Sequence, residues 1–396
     1  MGVLIFGAPG VCMLFVNTSG LTNLAAGIGR WVGNPSFRPR FAVHWRVSLR
    51  GALGGYGARV RIHRWATVVA IVVSFGIFFY LEQRSLSHTW GDVRSGLWFT
   101  LARYALLNLE NQTWHRKNWR PNILVFTGRP HNREQLVQLA DWLSRGKGIV
   151  TFSQLIIGDV EEIAGRNLRT AARKHIRGYI QEREMMAFTE ADVVPSFYDG
   201  VLSVAQAHGV GGLEPNAILL GWSGTPGGRI EGIRLMNALR ALNKSTLFLR
   251  YDSERGYGRQ QRIDVWWGGR GGNADLMLLI AHIISQHRSW RGAQIRLLRI
   301  IEHEEGHAQT VAHMESVLEE VRVVGEPVVI VREEDESIAD IMERWSEETD
   351  LSLLGLRIPA HLHDDEYAEQ INQLMARIGS VLLVRSTQDD DILIVD

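Results

Sequence analysis

The segment HEEGHAQTVAH, residues 303–313, holds the residue types best able to do chemistry in this chain. His303, Glu304 and His307 satisfy the spacing H-E-x-x-H, and His313 falls where an extended form of that motif carries a third zinc ligand. On a continuous helix His303 and His307 would share a face and hold Zn2+, while Glu304 acted as general base toward a metal-bound water. Three features argue against this membrane-anchored metalloprotease. Thr310 stands where a glycine should turn the chain toward the third ligand, and a β-branched residue is poorly suited to positive φ. Gly306 weakens the helix between the first two ligands. The strand pattern Ile295–Ile301 ends just before His303, which puts that residue in a strand-to-helix turn. A solvated turn and helix face, without metal, is the expectation.

Two glycine-rich stretches, GWSGTPGG (221–228) and GGRGGN (268–273), each follow a strand pattern and precede a helical one. Backbone amides at such places can hold phosphate. Neither matches G-x-G-x-x-G with an acidic ribose partner, nor a phosphate loop with its lysine, so tight turns are expected and no nucleotide residues are assigned. The acidic runs Glu333–Glu336 and Asp389–Asp391 lack the glycine and distal glutamate of a calcium loop and read as solvated. The one cysteine, Cys12, excludes an intrachain disulfide and a thiolate cluster. No catalytic residue, metal or cofactor is expected, and the chain is not expected to be an enzyme.

Two uncharged apolar runs precede the elements that carry these motifs. Residues 1–29 contain no charge, and 65–81 (WATVVAIVVSFGIFFYL) are closed by Glu82, Gln83 and Arg84. About 20 apolar residues cross the ~30 Å of bilayer hydrocarbon, so 1–29 and 65–84 are expected transmembrane helices. Between them stand eight arginines, at 30, 38, 40, 46, 50, 59, 61 and 64, and no acidic residue. A short basic loop beside a span faces the cytoplasm. Each arginine at mid-bilayer costs ~2.5–3.5 kcal/mol, so 46–64 is not expected to span. Over the whole chain 43 basic and 43 acidic residues balance, which gives no drive toward nucleic acid.

After Glu110 strands and helices alternate. Ile123–Thr127, Gly148–Ile157 and Ala217–Leu220 read as strands, and Leu136, Leu139, Ala140 and Leu143 line one face of a helix. Helical patterns also cover Leu168–Ile180 and Ile233–Leu242. A second round follows: strands at Ile263–Trp267, Ile295–Ile301, Val328–Val331, Leu351–Leu356 and Val381–Val384, with helices at Leu276–Ile284 and Val311–Val321. Such βαβ spacing implies an α/β class with a mostly parallel sheet covered on both faces. The glycine-rich linker Tyr251–Gln261 is the expected internal boundary. The domains are then a span at 1–29, a basic loop and disrupted segment at 30–64, a span at 65–84, an amphipathic connecting helix at 85–116, and α/β lobes at 117–255 and 256–396.

Several blocks in order resemble the cation-chloride cotransporter family. They are LTNLAAG (21–27), GNPSFRPRF (33–41) with His44 and Trp45, WGDVRSGLWFTLARYALLNLE (90–110), KNWRPNILVF (117–126), GVGGLEPNAILLGW (209–222) and IDVWW (263–267). Resemblance is lost across 46–64 and recovered at Trp65, as a local frame disturbance in the coding sequence would produce. The likeness implies a C-terminal piece: the last membrane helices plus a cytoplasmic domain whose two lobes are similar to universal stress proteins. It further implies multi-pass placement in the cell membrane with the C-terminal domain in the cytoplasm, a lipid membrane as partner, and a homodimer formed through that domain. For the full-length parent it implies coupled transport of chloride with potassium or sodium. None of the family's ion-binding residues falls on these positions. A tethered nucleotide-sensing module is the alternative.

Overall fold

A computed structural model describes residues 46–48, 50–54, 65, 68, 72, 93–111, 120–144, 148–161, 167–268, 272–357 and 363–387. The chain divides into two units, Met1–Asn111 and Gln112–Asp396. In the first, the expected spans 1–29 and 65–84 lie outside the described residues, except that Trp65, Val68 and Val72 are helical and exposed. Among the described residues no helix is long and apolar enough to cross a membrane. Helix α1 (Val93–Glu110) falls within the expected connecting helix, but not as an amphipathic one. Trp98, Phe99, Leu101, Tyr104 and Leu107 are all exposed, and at 100° per residue their positions go right around the helix instead of forming a stripe.

The second unit is a sheet with helices on both faces. Its first half runs β1 (Asn122–Phe126), α2 (Glu134–Ser144), β2 (Ile149–Ile157), α3 (Leu168–Glu182), β3 (Phe188–Val194), α4 (Phe197–Ala207), β4 (Ala217–Gly221), α5 (Pro226–Ala241), β5 (Ser245–Arg250). Its second half repeats the alternation: β6 (Arg262–Trp266), α6 (Gly272–Ser285), β7 (Gln294–Ile301), α7 (His307–Glu320), β8 (Glu326–Val331), α8 (Ile338–Trp345), β9 (Leu351–Gly355), α9 (Asp364–Arg377), β10 (Val381–Arg385). The strand order is β3-β2-β1-β4-β5-β10-β9-β6-β7-β8. Each half therefore has the same internal order, and the two orders mirror about the β5–β10 contact. Every pairing is parallel except that one, where Leu383 faces Phe248 in antiparallel register.

Local chemistry repeats as well. Ser196 caps α4, its hydroxyl accepting from the Asp199 N–H at 3.1 Å and donating to the Asp199 carboxylate at 2.7 Å. Ser337 caps α8, the corresponding helix, in the same way through Asp340. Such reciprocal caps satisfy an amide that the helix itself leaves unpaired. The Ser337 hydroxyl, and then Arg377, hold the Asp340 carboxyl below its ordinary range.

The expected lobes are thus halves of one sheet, and neither has a core of its own. On one face α2, α3, α6 and α7 bury a cluster that includes Leu139, Ile176, Leu278 and Met314. On the other, α4, α5, α8 and α9 bury Val201, Ile233, Ile341 and Met375. Both clusters run through β5 and β10. The linker between the halves is ordered: Tyr257 is buried and donates its hydroxyl to the Gln135 carbonyl at 2.9 Å.

Edge strands expose unpaired backbone groups, and β3 is visibly guarded. Gly158 N–H bonds the Val194 carbonyl, so alternation points the Thr189 and Ala191 carbonyls outward. Arg173 and Arg169, one turn apart on α3, donate Nε–H to those carbonyls at 2.9 and 2.6 Å. Each guanidinium also reaches the next carboxylate, Glu190 at 3.2 Å and Asp192 at 3.0 Å. Replacing both arginines with alanine is expected to cost only ~0–1 kcal/mol per exposed pair, yet to raise aggregation by freeing the edge. Light scattering against time checks this; an aggregation rate equal to the parent's would remove the guarding role.

Candidate functional site

Open α/β sheets bind ligands where strand order reverses, at the carboxyl ends of the strands. In the first half that point lies between β1 and β4. The turn after β1, Thr127–Arg133, brings Arg129 and Arg133 there, both exposed. The Arg133 guanidinium lies 3.5 Å from where a Cβ on Gly221, at the end of β4, would sit. Sequence reasoning did not find these two arginines. Their signal is weak: two cations flanking a Pro-His-Asn turn directly after an apolar strand.

The glycine loop 221–228 closes on itself at this point. Thr225 caps α5, its hydroxyl accepting from the Gly228 N–H at 3.3 Å, and Ser223 Oγ accepts from the Thr225 N–H at 3.2 Å. A Cβ on Gly228 would lie 2.2 Å from Ser223 Oγ, so only glycine fits the turn. Pro226 has no N–H to offer. Arg229 Nη1 donates to the Gly224 carbonyl at 3.0 Å, while its Nη2 holds Glu369 of α9 at 2.6 Å. Trp222 Nε1 donates to Asn372 Oδ1, also on α9, at 3.2 Å. The loop therefore clasps the two halves together instead of presenting free amides, in keeping with the tight turn expected. The second glycine stretch follows β6, which corresponds to β1 and not to β4, so the two stretches are not equivalents; residues 269–271 lie outside the described residues.

Polar contacts across the junction continue on its far side. Arg250 Nη1 donates to the Gly379 carbonyl at 2.7 Å, and Ser380 Oγ donates to the Gly256 carbonyl at 2.6 Å while accepting from the Asp252 N–H at 3.1 Å. Burial alone would raise the Asp252 carboxyl; the backbone N–H groups of Arg255 and Glu254, with Arg250 beside them, hold it below its ordinary value. Burial, with Tyr251 nearby, pushes the Tyr257 hydroxyl well above its usual range. On the opposite layer Trp142 of α2 meets Tyr257 at 4.6 Å and Trp290 at 5.3 Å, both edge-on.

The histidine segment has the strand-to-helix turn expected of it at His303. His303 is extended and precedes a 3-10 turn, Glu304–Gly306; His307 is the first residue of α7. The two imidazoles are therefore not one turn apart on a common helix, which removes the spacing on which zinc depended. His313 instead lies with its ring 5.5 Å from that of Trp267. Among the described residues no three His, Cys, Asp or Glu side chains converge on a metal position. The acidic run at 333–336 is a turn in which Glu336 pairs Arg344 at 2.9 Å; that at 389–391 lies outside the described residues.

A doubled five-strand order with a clasped junction is a fold-level feature, and comparison with known proteins shows where it occurs. The family described as Solute carrier family 12 matches residues 133–225 and 239–350, together just over half of the chain and drawn from both halves. The chain belongs to solute carrier family 12. Its sheet is similar to the crystal structure of the cytoplasmic domain of a prokaryotic cation chloride cotransporter, at 16% identity and a TM-score of 0.52, covering 69% of this chain and 99% of that one. A universal stress protein from Archaeoglobus fulgidus DSM 4304 matches at 12% identity and a TM-score of 0.47, covering 68% and 98%. At that score the likeness decides nothing about the lobes. The resemblance read from the sequence thus holds for the C-terminal cytoplasmic part of the solute carrier 12 family, and the sheet has the fold of that part.

Proposed function

We propose that this chain is the membrane-moored cytoplasmic tail of a cation-chloride cotransporter, in which the sheet serves regulation and homodimer formation and not catalysis. Coupled movement of chloride with potassium or sodium is proposed for the parent carrier, and no residue described above is assigned to ion binding. The observation that carries this reading is the extent of the match: the family covers both halves of the sheet, and 99% of the solved cytoplasmic domain finds its counterpart here. The exposed Trp98, Phe99 and Tyr104 around α1, and the exposed Trp65, Val68 and Val72, support a lipid environment for the first unit.

Under this proposal the full chain stays with the membrane pellet after carbonate extraction, and protease digests the sheet only when added to the cytoplasmic side. Recovery of the intact chain from the aqueous fraction, monodisperse without detergent, would overturn it.

A further inference from the structure

We propose that the β8 edge of the sheet is a self-pairing surface, on which a second copy of this chain docks strand to strand about a two-fold axis at Val329. This rests on the dimerising role proposed above and names the surface that performs it.

The two sheet edges are equivalent in topology and opposite in treatment. Arg332 N–H bonds the Ile301 carbonyl at 2.9 Å, so the alternating residues Pro327, Val329 and Val331 turn their backbone groups outward. No described residue bonds those groups, whereas two of the three outward carbonyls of β3, those of Thr189 and Ala191, are clamped. The helix that would supply such clamps, α7, has the sequence HAQTVAHMESVLEE and contains neither arginine nor lysine. Pro327 removes a single outward donor; the Pro327 carbonyl and the N–H and C=O of Val329 and Val331 stay available. Val328, Val329 and Val331 are only half-buried, and Val324 just before them is 92% exposed.

An antiparallel pairing centred on Val329 fits these groups to themselves. Val329 exchanges two hydrogen bonds with its own copy, and each Pro327 carbonyl accepts from the Val331 N–H opposite. Charge selects the same register. With the axis at Val329, Glu326 stands directly opposite Arg332 of the other copy, and opposed unlike charges stabilise a strand pair. Arg332 donates Nε to the Glu336 carbonyl at 2.8 Å and Nη1 to Glu302 at 3.4 Å, and its Nη2 has no partner among the described residues. Moving the axis to Ile330 would set Glu326 against Glu334, a like-charge pair. A second copy is thus favoured over an unrelated strand because the edge is complementary to itself in both backbone and charge.

The test uses the full chain in detergent with Cys12→Ser, which leaves no other thiol. Directly opposed, hydrogen-bonded residues have Cα atoms ~5.5 Å apart, within disulfide reach. Val329→Cys is expected to give a disulfide dimer on mild oxidation, while Val193→Cys on the clamped β3 edge gives none. Glu326→Arg is expected to weaken the dimer at least ~10-fold by mass photometry, and Glu326→Arg with Arg332→Glu to recover it. A dimer by mass whose Val329→Cys variant does not cross-link would overturn this surface while sparing the dimerising role. A monomer by mass would overturn both. Cross-linking of Val193→Cys as fast as Val329→Cys, or failure of the charge swap to restore the dimer, would also sink the proposal.

Discussion

Replacing Asp264 with alanine is expected to destabilise the sheet domain by ~3–5 kcal/mol, the cost of leaving a buried charge without its partner. Asp264, on β6, is fully buried and takes two bonds from Arg296 of the neighbouring β7, Nε at 2.8 Å and Nη2 at 2.7 Å. Thr349 donates to the same carboxylate at 2.5 Å, and Arg296 Nη2 also reaches the Trp345 carbonyl at 2.8 Å. Without the carboxylate the guanidinium, itself only 9% exposed, keeps one carbonyl and loses its counter-charge. Replacing the pair together, Asp264→Leu with Arg296→Met, is expected to return most of the loss, because apolar packing of similar volume often matches a buried ion pair. Urea unfolding of the full chain, followed by tryptophan fluorescence, measures both. A shift below ~1 kcal/mol for Asp264→Ala would show that water reaches the arginine.

Trp290→Ala is expected to cost a similar ~3–5 kcal/mol, and its effect should cross the junction. Trp290 is wholly buried and belongs to the second half, yet its ring packs against Trp142 of the first. The cavity therefore opens beneath both. Amide exchange should accelerate in β1 and in β6 alike; loosening of the second half alone would contradict a shared core. Trp290→Phe is expected to lose less, for a specific reason. The indole Nε1–H has no acceptor among the described residues, and an orphaned buried donor carries a penalty of ~1–3 kcal/mol that phenylalanine does not.

What the sequence made legible follows from what each strand touches. β1, β4, β6, β9 and β10 are covered on both faces and are mostly apolar, broken in the middle only by Asp264 of β6 and Ser352 of β9, so their positions were plain. β3, with the sequence FTEADVV, was missed because an edge strand carries Glu190 and Asp192 for its arginine clamps, which hides the apolar pattern. β5 was missed because STLFLR follows Asn243 and Lys244 and opens on two polar residues, which leaves only the short apolar run Leu247–Leu249. Helices α4, α8 and α9 passed unread for a related reason. In α9 the sequence DDEYAEQINQLMAR does carry one apolar face, Tyr367, Ala368, Ile371, Leu374 and Met375, but charged and amide residues surround it and dilute the pattern. The turn at His303 was legible because the apolar strand pattern runs to Ile301, and the helix begins only at His307. Strand order lay beyond reach because nothing in a single strand records its neighbour. The second round of strand and helix patterns showed that the second half repeats the first; the serines 196 and 337, each with an aspartate three residues on, carry the same repetition and passed unread.

The antiparallel contact at the middle of the sheet has a consequence for anyone who would cut the protein in two. Severed within the linker at 251–261, each piece would bare a mostly hydrophobic strand, Ser245–Arg250 or Val381–Arg385, with the hydrogen-bonding groups along one side unmet, and two greasy layers open at the same margin. Such a piece could not stay alone in water. It would have to find its counterpart, or another of itself, through the surface that the intact molecule keeps permanently sealed.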